Sequence, residues 1–275
     1  MKLYLREDVA ALWTDRNPLA EAFALQGEVF REVARRKTMK VNIAGGSYFV
    51  KLHEGVGWVE IIKNWLQFKR PVLGAENEFL ACRGLAEVGI KAPVPVAFAM
   101  ENLSMARRRS FILCEELTER VSLEDFTETW FEQPATPETR HRMLLAIAEF
   151  ARAFHQHGFI HRDFYICHLL AQSGELRRGR FDLAVLDLHR ARRFDVVPDR
   201  WLRRDLGALL FSTLDLGFST TDWLRFIRRY SGRPLKTELA ERGDFWISVR
   251  ARAHKLYREG ERKGIVKGLY HGADG

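Results

Sequence analysis

Three consecutive side chains, His161, Arg162 and Asp163, follow an apolar approach in residues 159–170, FIHRDFYICHLL. A carboxylate delivered this way can take a proton from an acceptor hydroxyl. A second carboxylate, Asp187, ends the apolar run Val185-Leu186-Asp187 and is followed by Leu188. A lysine, Lys51, is bracketed by apolar residues in Tyr48-Phe49-Val50-Lys51-Leu52, where an ammonium is costly unless an anion faces it. A base, an acid able to hold a metal and a lysine able to hold phosphates are the parts that phosphoryl transfer requires. Plainer uses stay open at this point: Asp163 and Asp187 as caps of a turn and a helix, and Lys51 as an edge-strand lysine facing water.

The surrounding elements follow from periodicity and turn residues. Leu3-Tyr4-Leu5 reads as a short strand, and Asn17-Pro18 as an N-cap and first-turn pair that starts a helix running through Phe23. Residues 29–33, 38–43 and 48–52 alternate as strands, joined by Arg35-Arg36-Lys37 and by Gly45-Gly46, which predicts an antiparallel meander. The Arg35-Arg36-Lys37 turn holds no glycine, so phosphates there would meet basic side chains and backbone amides. Residues 75–88 read as a helix ended by Gly89, with Glu76 and Glu78 in its first turns. Either can reach Lys51 if the helix packs on the sheet. Glu78 is the expected partner because Glu followed by an apolar residue resembles the register of a kinase's partner glutamate, although an acid in a first turn also complements the helix dipole. Two more strands are expected at residues 94–100 and 110–114. The second runs into Glu115-Glu116-Leu117, an inter-lobe hinge whose backbone would meet an adenine edge.

Thr136-Pro137-Glu138 starts a helix with Met143, Leu144, Ile147, Phe150, Ala151 and Phe154 at core-facing spacing. It delivers the chain to Gly158 and the His161 stretch. Asp205 reads as opening an otherwise apolar helix, either as a plain first-turn acid or as a brace for the His161 loop. Arg190, Arg192 and Arg193 follow Asp187 and are candidates for attracting an acidic acceptor. Trp223, Phe226, Ile227 and Tyr230 share one helical face, suited to packing or to a membrane surface.

With 275 residues, 47% of them hydrophobic, the chain can build one large domain or two lobes. Lys and Arg total 44 against 36 Asp and Glu, a net charge of +8 that favours an acidic partner without choosing among nucleotide phosphates, nucleic acid, membrane or protein. Three cysteines, Cys82, Cys114 and Cys167, sit in apolar stretches without zinc-type spacing, which suits a reducing compartment. Arg6, Glu7 and Asp8 follow the first residues at once and leave no room for a signal-peptide core, so a cytoplasmic location is expected. The apolar stretch at residues 206–214 is too short to span a bilayer, and any membrane contact is expected to be peripheral.

Lys51, Glu78, His161-Arg162-Asp163 and Asp187 occur in the order of a protein kinase, whose catalytic loop is written H-R-D-L-x-x-x-N. The asparagine position is His168 here, Leu188-His189 replaces the usual Phe-Gly, and the G-x-G-x-x-G loop is absent. More closely, the chain resembles the lipopolysaccharide core heptose(I) kinases of Gram-negative bacteria over essentially its whole length, most clearly at residues 43–53, Glu116-Leu117 and residues 159–170. The resemblance implies an α+β, two-lobed protein-kinase-like fold: an N-terminal nucleotide-binding lobe over residues 1–116, an antiparallel sheet with one helix, and a mainly helical catalytic and acceptor lobe over residues 117–275. It implies ATP with Mg2+, and phosphorylation of the first heptose of the inner core on a lipid A–core acceptor at the cytoplasmic face of the inner membrane. Acyl carrier protein is a candidate acidic partner, and no nucleic acid is expected.

In that scheme Asp163, Lys51 and Arg162 form the catalytic set. Lys51, Glu78, Glu115, Leu117 and Asp187 hold the nucleotide. Asp187 is the metal ligand and His168 a candidate second one. An aminoglycoside- or choline-type kinase, a RIO-like protein kinase and a non-catalytic kinase-like binding protein are the competing readings.

Overall fold

A computed structural model describes residues 1–33, 35–55, 74–101, 103–104, 107–130, 132–264 and 266. The chain forms two compact units: Met1–Thr118 with Asp187–Ala191, and Glu119–Leu186 with Arg192–Gly275.

The first unit is built on strands β1 (Lys2–Leu5), β2 (Glu28–Val33), β3 (Arg36–Ile43), β4 (Gly46–His53), β5 (Pro95–Met100) and β6 (Ser110–Glu115). They make one six-stranded sheet in the order β1-β5-β6-β4-β3-β2, and each neighbouring pair is antiparallel. The expected meander is its β4-β3-β2 half. Arg36 and Lys37, expected in a turn, belong to β3, where Arg36 pairs with both Val33 and His53; the reversal is shorter than the basic run that marks it.

Alternation along β4 decides what each face carries. Val50 and Leu52 enter one core with Met39, Val41, Phe111 and Leu113. Lys51 between them points to the opposite face, as do Ile112 and Cys114 of β6, which pack with Phe79 and Phe98. Helix α1 (Glu7–Leu12) and helix α2 (Pro18–Ala24) cover the first face. The Asn17 side chain caps α2 by accepting from the N–H groups of Leu19 and Ala20. The charged start of α1 gave no helical signal; its helix is held by Val9 and by the adjoining Trp13, which are buried in that core. Helix α3 (Glu76–Glu87) buries Glu78, Phe79, Cys82 and Leu85, and Gly89 beyond it takes φ +71°.

The second unit is mainly helical, with α4 (Leu123–Thr127), α5 (Pro137–Gln156), α6 (Ser173–Leu176), α7 (Asp199–Phe211), α8 (Thr220–Ser231) and α9 (Leu235–Arg262). Short strands β7 (Arg120–Ser122), β9 (Leu169–Gln172) and β10 (Leu183–Val185) form one small sheet, and β8 (Phe159–Ile160) pairs with β11 (Arg192–Arg193). Thr136 caps α5 as expected, and Met143, Leu144, Ile147, Ala151 and Phe154 are its buried stripe.

Two local expectations change, and one alternative is decided. The strand before Asp187 ends at Val185, because Asp187 adopts a left-handed conformation with φ 58°. Helix α7 begins at Asp199 after Pro198, so Asp205 lies inside it and is completely buried. The aromatic face of α8 turns inward: Phe226, Ile227 and Tyr230 are buried, and Trp223 stacks on Phe226 and meets Trp246 of α9 edge-on. That face is therefore a packing surface and not a membrane surface. Among the described residues, no helix is long and apolar enough to cross a membrane.

Candidate functional site

The strand alternation that buries Val50 and Leu52 sends the Lys51 ammonium to the α3 side of the sheet, where Nζ meets Glu78 Oε1 at 2.5 Å and Asp187 Oδ1 at 3.8 Å. Glu78 is 2% exposed. Burial opposes the charge on Lys51, but the Glu78 carboxylate and then Asp187 outweigh it, and the ammonium pKa is raised. Glu76, the other acid of the first turn, pairs instead with Lys2 of the N-terminal strand.

Asp187 reaches this group from the second segment of the same unit. Its Oδ1 lies 2.6 Å from His189 Nδ1, so the histidine that replaces a glycine orients the carboxylate. Behind Lys51 on β4, His53 is 6% exposed, and burial, helped by Arg36, Lys51 and His189, pushes its pKa down to about 3.

The hinge residues are tied down by their side chains. Glu115 binds Arg6 at 2.5 Å and Glu116 binds Lys40 at 2.7 Å. The Glu115 N–H donates to Val94 O at 2.9 Å and the Glu116 N–H to Ser47 O at 3.1 Å. Leu117 follows, inside a turn closed by the Thr118 N–H on Glu116 O at 3.0 Å. With the Glu115 carboxylate committed to Arg6, a ligand contact from this segment falls to main-chain groups.

In the second unit the His161 loop is held from several sides. Asp205 accepts the His161 N–H on Oδ2 at 2.6 Å and the Arg162 N–H on Oδ1 at 2.7 Å. These bonds hold Arg162 at φ +75°, uncommon for a side-chain-bearing residue. The His161 Nε2–H donates to Leu186 O at 2.8 Å, while Nδ1 accepts the Asp163 N–H at 3.3 Å. A carbonyl only accepts and an amide N–H only donates, so both contacts together specify the neutral Nε2–H tautomer. His168 Nδ1–H donates to Asp163 O at 2.8 Å, and its ring stacks on that of His161, centroids 5.3 Å apart. The two imidazoles thus grip the amide and the carbonyl of Asp163.

Arg162 and Asp163 part company at the side chain. The Arg162 guanidinium lies over the Trp201 ring at 5.3 Å. The guanidinium beside the Asp163 carboxylate is that of Arg204, 3.9 Å from Oδ1, and Arg204 Nε also donates to Arg162 O at 3.0 Å. Sequence reasoning missed Arg204, Arg6 and His189; no local pattern marks them, because each acts across a long loop or through an unusual turn.

Magnesium favours oxygen donors and usually combines one or two carboxylates with substrate phosphates. The Asp187 carboxylate suits that use. Among the described residues no group of three or more His, Cys, Asp and Glu side chains could by itself hold a metal. His168 fits less well, since it offers nitrogen and its Nδ1 is taken by the Asp163 carbonyl.

Residues 20–230 match the Lipopolysaccharide kinase (Kdo/WaaP) family. Lipopolysaccharide core heptose(I) kinase WaaP of Pseudomonas aeruginosa is 42% identical over 96% of this chain and 99% of its own length. Its Escherichia coli K12 counterpart is 36% identical over 95% of this chain and 99% of its own. A solved structure described as WaaP in complex with acyl carrier protein superposes with TM-score 0.78 at 37% identity, covering 94% of this chain and 100% of that one. With the motif order, the Lys51–Glu78 pair and the braced His161 loop all present, the chain belongs to the lipopolysaccharide kinase (Kdo/WaaP) family.

Proposed function

We propose that the protein transfers the γ-phosphoryl group of ATP to a hydroxyl of the first heptose in the lipopolysaccharide inner core. The observation that carries this reading is the Lys51 ammonium paired with Glu78 at 2.5 Å and facing Asp187 at 3.8 Å, in a member of this kinase family. Lys51 holds the α- and β-phosphates, and Glu78 keeps the ammonium extended toward them. Leu117 N–H and Glu115 C=O read the adenine edge through the main chain. Asp187 takes a Mg2+ ion, which when bound neutralises charge on the phosphates. His189 fixes the direction of that carboxylate. Asp163 orients the acceptor hydroxyl and takes its proton, and Arg204 and the two imidazoles keep it in place.

The acceptor is a lipid A–core glycolipid, which calls for a peripheral position at the cytoplasmic face of the inner membrane. We further propose an acidic carrier protein as a partner. A groove of about 1080 Å³ along α5, α8 and the start of α9 is lined by Arg152, Arg225, Arg228, Arg229, Arg233 and Lys236. Arg225, Arg229 and Arg233 are paired with Asp222, Glu149 and Glu238. Arg152, Arg228 and Lys236 carry no ion pair among the described residues, leaving a positive surplus over the apolar Leu145 and Leu224. Acyl carrier protein, the partner in the related solved structure, is the occupant this chemistry favours.

Mass spectrometry of core oligosaccharide from cells with and without the protein tests acceptor and reaction together. Loss of one phosphate from the first heptose is the expected result; an unchanged core would refute the assignment.

A further inference from the structure

The carboxylate that braces the catalytic loop has a further close neighbour, His155. Asp205 is completely buried and gives an oxygen to each of the His161 and Arg162 amides. His155 of α5, 6% exposed, brings Nε2 to 3.5 Å from Asp205 Oδ2, the oxygen that accepts the His161 N–H, an approach longer than a hydrogen bond. The other ring nitrogen, Nδ1, is 2.9 Å from the Tyr230 hydroxyl of α8. Burial raises the Tyr230 phenol well above its ordinary pKa, and its protonated hydroxyl can donate to Nδ1 or accept from it. The Asp205 carboxylate facing Nε2 only accepts, so the imidazole proton belongs on Nε2 and Nδ1 accepts from the Tyr230 hydroxyl.

The tyrosine is in turn fixed by rings. It stacks on Phe226 at 6.0 Å and meets Trp246 of α9 edge-on at 5.6 Å. His155 is packed between it and Phe164, at 5.7 and 5.8 Å. We infer that Tyr230 and His155 are positioning residues for Asp163, acting through Asp205 and the loop amides. The path runs from the aromatic packing of α8 and α9, through one hydroxyl and one imidazole, to the left-handed backbone at Arg162. Every residue in it lies in the second unit.

The inference rests on the proposed kinase reaction only in giving Asp163 the proton transfer, so its test needs a readout independent of the reaction. Tyr230→Phe removes the hydroxyl and keeps the ring; His155→Leu removes both nitrogens at similar size. In Tyr230→Phe, amide hydrogen exchange of residues 159–164 should rise several-fold over wild type while exchange in β9 and β10 and the urea midpoint stay close to it. The turnover number should fall about threefold to tenfold at unchanged KM for ATP, the size expected for loss of one hydrogen bond acting through a carboxylate. His155→Leu should move both readouts further in the same direction; if it does not fold, Tyr230→Phe alone decides. Wild-type exchange and turnover in Tyr230→Phe would overturn the inference, as would a uniform rise in exchange across the unit, which marks a packing role. Faster loop exchange in a protein that never phosphorylates the heptose acceptor would leave the positioning path standing and remove the kinase reading.

Discussion

His168 Nδ1–H donates to the main-chain carbonyl of Asp163 at 2.8 Å, which makes the residue at the expected asparagine position a clamp on the proposed base. An asparagine amide can supply the same donor. His168→Asn should therefore keep turnover within about threefold of wild type, whereas His168→Leu, which has no donor, should lose about tenfold. Steady-state kinetics with a magnesium titration checks both. Complete inactivity of a well-folded His168→Asn protein would show that the imidazole has a role of its own, for instance on the acceptor sugar.

Asp163→Ala should abolish transfer while leaving folding and ATP binding intact, because the carboxylate is assigned to the acceptor hydroxyl and not to the nucleotide. A positioned base contributes about 10²–10⁴-fold, so the variant should fall at least that far. Calorimetric ATP titration beside a phosphate-transfer assay separates binding from chemistry; turnover near wild type would remove Asp163 from the mechanism.

Lys51→Ala and Asp187→Ala should weaken nucleotide and magnesium titrations as well as turnover. Lys51→Ala should also destabilise the first unit by about 1–3 kcal/mol, since it leaves the buried Glu78 carboxylate without its donor. Adding Glu78→Gln should recover part of that stability without restoring nucleotide binding. Equal ATP affinity in Lys51→Ala, Asp187→Ala and Asp163→Ala would mean the division of roles is wrong.

His53 is buried and held neutral, its pKa depressed from 6.5 to about 3. An unfolded histidine takes up a proton below about 6.5 and the folded one does not, so the stability it contributes is present above that value and is lost as pH falls toward about 3. Urea midpoints measured across this window should fall more steeply for wild type than for His53→Leu. Parallel slopes would mean the ring is protonated in the folded protein.

Arg228→Gln with Lys236→Gln removes from the arginine-lined groove two cations that carry no ion pair among the described residues, without touching the proposed catalytic groups. Affinity for acyl carrier protein should drop, and the loss should be largest at low ionic strength, since exposed charges are screened beyond about 8 Å at physiological salt. Surface plasmon resonance over a salt series measures it; wild-type affinity and salt slope, or no binding at all, would refute the proposed docking of acyl carrier protein in this groove.

Local chemistry determined what periodicity and composition can carry. The spacing of Met143, Leu144, Ile147, Ala151 and Phe154 marked α5, the alternation around Lys51 set the faces of β4, and the order of Lys51, Glu78, Asp163 and Asp187 carried the family. Those signals survive in sequence because side chains three or four apart on a helix, or two apart on a strand, share a face whatever surrounds them. Tertiary packing decided the remainder. It brought Arg6 to Glu115 across a separation of 109 residues. It also put Arg204 beside Asp163 while Arg162 went to Trp201. The left-handed Arg162 and Asp187 lie outside what sequence predicts, since neither is glycine; at Arg162 the conformation is held by the Asp205 carboxylate, which only the folded second unit brings to that peptide.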